Sequence, residues 1–179
     1  MPRAGCELTR VGIDIGGTSV KMAAAHGGGW RVAISERYAM PDRAALQSAL
    51  ASAWSKLGAE TPESDVGLCV PGVPASDGNS IEIAVNLPGL VGWDLTEMVR
   101  ETVGGGTCSV VRTSDADAAL RDWQAEAGAT GRSLGIVIGT GVGLSVLDGD
   151  RPAAWTDGGA GHLGQIDVTV GDPSSAPIG

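Results

Sequence analysis

Two glycine–threonine turns, each set between short apolar runs, constrain this chain more than any other feature. The first, Asp14-Ile15-Gly16-Gly17-Thr18, joins an alternating run from Thr9 to Asp14 to a second run from Ser19 to Ala25. The second, Gly139-Thr140-Gly141, joins a run from Ser133 to Ile138 to one from Val142 to Leu147, and Asp148-Gly149 then signals a further hairpin. Gly27-Gly28-Gly29 separates the opening pair from a third strand, Trp30 to Tyr38. Glycine turns between short β-type runs predict a meander of hairpins. With 29 glycines in 179 residues and no collagen-like period, the glycines mark tight turns and close backbone approaches.

Between the two blocks the period changes. After Pro41, Asp42 is placed as an N-cap, and Ala44, Leu46, Ala49, Leu50, Ala53, Trp54 and Leu57 keep near-helical spacing up to Gly58. Val66 to Val70 predicts a buried strand ending at Pro71-Gly72, and Ile81 to Val85 a further strand. Asp94 opens a helix that stops at Gly104. Cys108 to Val111 predicts a short strand, and Ser114 or Asp115 caps a third helix running to Gly128. Three strands followed by helix, strand, helix, strand, helix imply a mixed α/β layer fold. The strand–turn–strand pattern then restarts, and the residues from Asp157 to Gly179, rich in Gly, Asp, Pro and Ser, predict coil.

Composition excludes several function classes. Hydrophobic residues make up 42% and charged residues 18%, so the chain has the apolar content to fold. There is no Phe, and five Trp and one Tyr are the only aromatics, so the core is aliphatic. A net charge of -9 lacks the basic footprint of nucleic-acid binding. The apolar runs are strand-sized, far below the roughly 18 residues of a membrane span. Met1 to Arg10 has no apolar signal-peptide core. Cys6, Cys69 and Cys108 form no CxxC pair, so neither a disulfide framework nor a zinc site is predicted, and a reduced, cytoplasmic chain is expected.

The turns also carry chemistry. At Asp14 to Thr18, glycines let backbone N–H groups approach an anion and Thr18 adds a hydroxyl, while Asp14 could hold Mg²⁺ through water. The same residues also serve as an ordinary hairpin turn with a capping Asp, and no GxxxxGK[ST] loop exists anywhere. Gly139-Thr140-Gly141-Val142-Gly143 is a second such turn, and two of them could clamp one phosphate chain with magnesium between. Ser114-Asp115-Ala116-Asp117 puts two carboxylates in a first helical turn, read either as an acidic cap or as a weak general base suited to phosphoryl transfer. His26, beside three glycines, is expected to face solvent. His162 and Gln165 could hydrogen-bond to hydroxyls, or His162 could ligate a metal.

Together these segments resemble the ROK family of sugar kinases and sugar-responsive repressors, within the actin-like ATPase superfamily. Val11-Gly-Ile-Asp-Ile-Gly-Gly-Thr18 is similar to its first phosphate motif and Ile138-Gly-Thr-Gly-Val-Gly143 to its second. Val66-Gly-Leu-Cys-Val-Pro-Gly72 and Asn86-Leu-Pro-Gly89, followed by Gly92-Trp93, resemble its sugar-side segments. Thr113-Ser-Asp-Ala-Asp117 stands where the family usually has Asn-Asp-x-Asn, and Gly161-His-Leu-Gly-Gln165 where it usually has Gly-Glu-x-Gly-His. The resemblance implies an actin-like ATPase (ribonuclease H-like) α/β lobe of βββαβαβα order, plus the opening strands of a second similar lobe. It implies transfer of the ATP γ-phosphate to a sugar hydroxyl with Mg²⁺. Asp115 falls on the catalytic base. Gly72, Asn86, Ser114, His162 and Gln165 fall on the sugar side. Asp14, Gly16, Gly17, Thr18, Gly139, Thr140 and Gly141 fall on the phosphate loops.

Three departures qualify this. Ser114 replaces an Asn, His162 a Glu, and Gln165 a His that in many members also ligates zinc. The cysteine-rich zinc motif is absent from these residues, so no zinc is expected, and either unusual sugar choice or reduced activity is implied. No helix-turn-helix precedes Val11, which does not favour the DNA-binding subtype. Residues 1–132 are expected to form one lobe and 133–179 the start of an incomplete second. The chain is then an N-terminal portion that binds nucleotide poorly and turns over no sugar by itself. The alternative is a non-catalytic sugar-sensing protein; an actin-like polymerising role is weaker. A homodimer is compatible with the resemblance.

Overall fold

A computed structural model of the chain describes residues 10–62, 65–104, 108–138 and 142–153. They fall into two compact units, Met1–Thr113 and Ser114–Gly179. The division lies ahead of the boundary expected at residue 132, because the third helix packs on the strands that follow it.

The first unit is built on strands β1 (Val11–Ile15), β2 (Val20–His26), β3 (Gly29–Ile34), β4 (Val66–Cys69), β5 (Val73–Pro74), β6 (Ile81–Ile83) and β7 (Val110–Thr113), with helices α1 (Arg43–Leu57) and α2 (Leu95–Val103). Five strands form one sheet in the order β3-β2-β1-β4-β7. The hairpins β1–β2 and β2–β3 are antiparallel, whereas β1, β4 and β7 run parallel. Parallel neighbours need crossover connections, which α1 and α2 supply. The βββαβαβ succession is therefore present here, with the small β5–β6 hairpin and a 3-10 turn, Pro88–Leu90, inserted before α2.

Local chemistry explains the helix limits. Asp42 accepts from the Ala45 N–H at 2.8 Å and Asp94 from the Glu97 N–H at 2.8 Å, each satisfying an orphan donor of a first turn. Gly58 and Gly104 close the two helices in the left-handed region, at φ 58° and 88°. The spacing of Leu46, Ala49, Leu50, Ala53 and Leu57 puts one apolar stripe of α1 into the core. It packs on β2 and β3, in one core with the buried Ile13, Ile15, Val20 and Met22. Each such aliphatic side chain contributes about 1.5–3 kcal/mol on burial. The alternate positions of β1, Gly12 and Asp14, point to the opposite face of the sheet.

Several strands differ from expectation: β6 ends at Ile83 rather than Val85, and the short β5 was not foreseen. β3 stops at Ile34 rather than reaching Tyr38: at Ser35 the side chain takes over the pairing, its hydroxyl accepting from Val20 N–H and donating to the Glu36 carbonyl. β7 lies two residues later than expected, since its register is set by pairing Val66 with Val110 through Cys69 with Thr113.

The second unit holds α3 (Asp115–Ala127), β8 (Arg132–Ile138), β9 (Val142–Asp148) and β10 (Arg151–Pro152), an antiparallel sheet in the order β10-β9-β8. Ser114 caps α3, accepting from the Asp117 N–H at 3.1 Å, and Gly128 closes it at φ 60°. Ala116, Leu120 and Gln124 form its buried stripe. Gly135 lets Leu120 come close: a Cβ there would stand 3.1 Å from Leu120 Cδ1. Gln124 donates to Ser133 Oγ at 2.9 Å, so the one amide of the stripe is satisfied.

Candidate functional site

The first glycine turn is closed from within and clamped from outside. Gly16 N–H donates to Ser19 O at 3.1 Å, which sets the β1–β2 hairpin. Tyr38 N–H donates to Thr18 O at 2.9 Å, and the Tyr38 hydroxyl donates to Gly16 O at 2.7 Å. Both ends of the turn are therefore held by one residue beyond β3. The N–H groups of Gly17 and Thr18 have no acceptor among the described residues. Gly17 is open on its outer side: a Cβ there would meet only Asn86 Cβ, at 3.9 Å.

Tyr38 was not among the expected site residues. Burial, with the Asp14 charge as a second cause, pushes its phenol up to about 12. A group whose pKa is raised on folding stabilises fully below the unfolded value, near 10, and loses that contribution as pH rises toward the folded value. Tyr38→Phe is expected to cost about 1 kcal/mol at neutral pH, the usual worth of one hydrogen bond. It should also flatten the decline in stability above about pH 10. Urea unfolding at stepped pH measures both, and unchanged neutral-pH stability would remove the clamp.

Asp14 lies on the face away from the helices. Its carboxylate, 39% exposed, pairs with Lys21 Nζ at 3.1 Å, the cross-strand partner that register dictates. In the same row the ladder runs Asp14–Cys69–Thr113 across the carboxyl ends of parallel strands β1, β4 and β7. Open α/β sheets bind ligands outside those ends. An exposed carboxylate, a neighbouring ammonium and two amide donors without acceptors make a donor set that fits a magnesium-bound phosphate. Among the described residues, no group of three or more His, Cys, Asp or Glu side chains forms a metal cluster.

The segment 86–93 is anchored rather than loose. Leu87 and Leu90 are fully buried, and Asn86 between the β6 hairpin and this anchor is exposed. Gly89 N–H donates to Pro41 O at 3.0 Å. Arg43, the first residue of α1, donates to Val91 O at 3.0 Å and to Gly89 O at 3.5 Å, and its guanidinium lies 5.3 Å from the Trp93 ring centroid. Gly72 stands at φ 111°, where a Cβ would lie 2.5 Å from Ile83 O, so glycine is required for the β5–β6 hairpin to fold back. Asp14, Gly16, Gly17, Thr18, Gly72 and Asn86 thus all belong to the first unit, and Asn86 lies against the glycine turn.

In the second unit Asp115 is the exposed first residue of α3, and its Oδ1 accepts from Ala116 N–H at 2.8 Å. Asp117 accepts from the fully buried Ser145 hydroxyl of β9, fixing the first turn of α3 to that strand. Gly143, the last glycine of the second motif, comes so close that a Cβ would sit 3.2 Å from Ala116 Cβ and 3.6 Å from Asp115 Oδ1. Ser114 is engaged as the helix cap. Gly139, Thr140, Gly141, His162 and Gln165, like the tail from residue 157, lie outside the described residues.

The family profile of ROK proteins matches residues 10–176. The chain belongs to the ROK family. It is 29% identical over 162 residues to the N-acetyl-D-glucosamine kinase of Vibrio cholerae serotype O1, a match that covers 89% of this ROK chain and 53% of that protein. A ROK family glucokinase from Streptomyces griseus, solved with glucose and AMPPNP, is 26% identical with a TM-score of 0.63, covering 90% of this chain and 51% of that one. A ROK family transcriptional regulator, a homolog of the E. coli MLC protein, is 16% identical with a TM-score of 0.68, covering 94% and 43%, a likeness of fold alone. The α/β architecture, with its mixed sheet, is thus the actin-like ATPase fold of ROK proteins. This ROK chain spans about half the length of the curated relative it matches. No helix among its described residues is long and apolar enough to cross a membrane.

Proposed function

We propose that this chain is the phosphate- and sugar-binding part of a cytoplasmic ROK sugar kinase that transfers the ATP γ-phosphate to a hydroxyl of glucose, an N-acetylhexosamine or a similar sugar. The observation that carries the reading is the approach of Asn86 to Gly17 within one unit, 3.9 Å from where a side chain at Gly17 would begin. An amide that can both donate to and accept from a sugar hydroxyl stands against a turn with open N–H groups. The two reactants of a phosphoryl transfer need that adjacency, because positioning supplies much of the catalysis. The N–H groups of Gly17 and Thr18 and the Thr18 hydroxyl would hold phosphate oxygens, with Gly16 shaping the turn through its bond to Ser19 O, and Asp14 would hold Mg²⁺ through water. When bound, the ion supplies neutralisation of phosphate charge.

Asp115 is the general base of this reading: it takes the proton of the attacking hydroxyl, with Ala116 N–H holding its carboxylate in place. Gly139, Thr140 and Gly141 form the second phosphate loop, and Ser114, His162 and Gln165 complete the sugar side. The competing reading, a non-catalytic sugar-sensing ROK protein, draws on Ser114, whose hydroxyl serves the helix cap rather than standing ready for a ligand. An ATP-coupled phosphorylation assay with parallel sugar-binding measurements, over a panel of hexoses and N-acetylhexosamines, decides between them. It is run on the 179 residues and on a polypeptide of the relatives' length. Turnover in the longer chain is the expected result. Sugar binding without turnover there would favour the sensor, and neither binding nor turnover would overturn both.

A further inference from the structure

The link between β3 and α1 touches both parts of the first unit's site. At its start, Tyr38 holds the glycine turn through Thr18 O and Gly16 O. At its end, Pro41 O receives Gly89 N–H, and Arg43 grips the carbonyls of Gly89 and Val91 while covering Trp93. Between the two grips stands Met40 at φ 45°, a left-handed conformation that costs a side-chain-bearing residue about 1–2 kcal/mol. Such a conformation persists only where its surroundings hold it from both sides. Five hydrogen bonds and one cation–π contact do so here, and none of them involves a regular strand ladder.

We propose that this link is what aligns the two parts: Tyr38 is a positioning residue for the glycine turn, Arg43 is a positioning residue for Asn86, and loosening either grip is felt at the other. The inference rests on the functional reading above for the identity of the ligands, but its mechanical content does not. Nothing else described in the first unit bonds to both the turn and the 86–93 segment. At Gly17 the turn faces Asn86 with no side chain of its own, the space a Cβ would fill ending 3.9 Å from Asn86 Cβ. A short stretch pinned at both ends moves as a body, so release of one end relaxes the other.

The 179-residue chain suffices for the test. Tyr38→Phe removes one hydroxyl. Arg43→Met keeps the aliphatic stem and removes the donors and the charge. Amide hydrogen exchange is followed at residues 16–19, at residues 89–93 and, as reference, at Met98 and Val99 of α2. Each variant is expected to speed exchange about tenfold at its own contact and about threefold at the far one, with the reference amides unchanged. Arg43→Lys should recover part of the loss, because a lysine keeps the cation but not the fork that reaches two carbonyls. Acceleration confined to each variant's own contact, or spread equally to α2, overturns the proposal. Titration with N-acetylglucosamine, glucose and Mg²⁺–AMPPNP supplies the second readout. Arg43→Met should weaken sugar binding several-fold while lowering the melting temperature by only a few degrees for its lost contacts, and Tyr38→Phe should weaken AMPPNP. If neither the unaltered chain nor a polypeptide of the relatives' length binds any of these probes, the functional reading fails, and the exchange pattern alone decides the link.

Discussion

Gly89→Ala should destabilise the first unit by about 3–4 kcal/mol, at the upper end for a single methyl group. The added Cβ would stand 2.3 Å from the Asp42 carbonyl carbon, 2.4 Å from the Arg43 nitrogen and 2.5 Å from the Asp42 oxygen. All three are backbone atoms at the start of α1, so no rotamer change relieves the clash. The 86–93 segment must then lift off the helix. Doing so breaks Gly89 N–H to Pro41 O, releases the Arg43 contacts and draws Leu87 and Leu90, both fully buried, toward water. Gly92→Ala is the internal control. Gly92 stands at φ 65° with open space where its Cβ would go, so the cost is only the left-handed penalty, about 1–2 kcal/mol. Urea unfolding of the two variants separates close approach from conformation. Equal losses, or a Gly89→Ala chain within about 1 kcal/mol of the parent, would show that the segment does not seat as described.

Features whose partners are near in sequence were legible in it. Asp42, Asp94, Gly58 and Gly104 read correctly as helix limits because a cap and its target lie within a turn of each other. The β1–β2 hairpin and its turn were legible for the same reason. Strand limits were less so: β7 takes its register from β4, far back in the chain, and nothing local to Cys108 reports that pairing. Gly89 carried a motif resemblance to a sugar-side segment, yet its physical constraint is the backbone of Asp42 and Arg43, dozens of residues earlier. Tyr38 carried no motif at all. The only hint was that the chain's single tyrosine follows a strand in a sequence almost without aromatics. The allegiance of α3 was also hidden. Ala116, Leu120 and Gln124 define one buried face, and periodicity says nothing about which sheet it covers.

Asp115→Asn is the change with the largest expected effect on chemistry, a loss of about 10²–10⁴-fold in kcat for sugar phosphorylation, the range that a positioned general base contributes. It belongs in a polypeptide of the relatives' length, with sugar and nucleotide affinities measured alongside. Asparagine keeps the size of the side chain, and its Oδ1 can still accept from Ala116 N–H, so the first turn of α3 is preserved. What it cannot do is take a proton. The loss should therefore fall on kcat and leave binding nearly unchanged. Asp117→Asn, two residues on, tests whether charge in that turn is what matters. It also removes a carboxylate, but an amide oxygen still accepts from Ser145, and the expected change is under about threefold. Gly143→Ala tests the geometry from the other side, since its methyl would crowd Ala116 and stand 3.6 Å from the Asp115 carboxylate. A fall in kcat with Gly143→Ala and Asp115→Asn, but not with Asp117→Asn, isolates Asp115 and its placement. Phosphorylation undiminished by Asp115→Asn would reject it as the base. A parent of that length that binds sugar and never turns it over would make the same carboxylate part of a sensor.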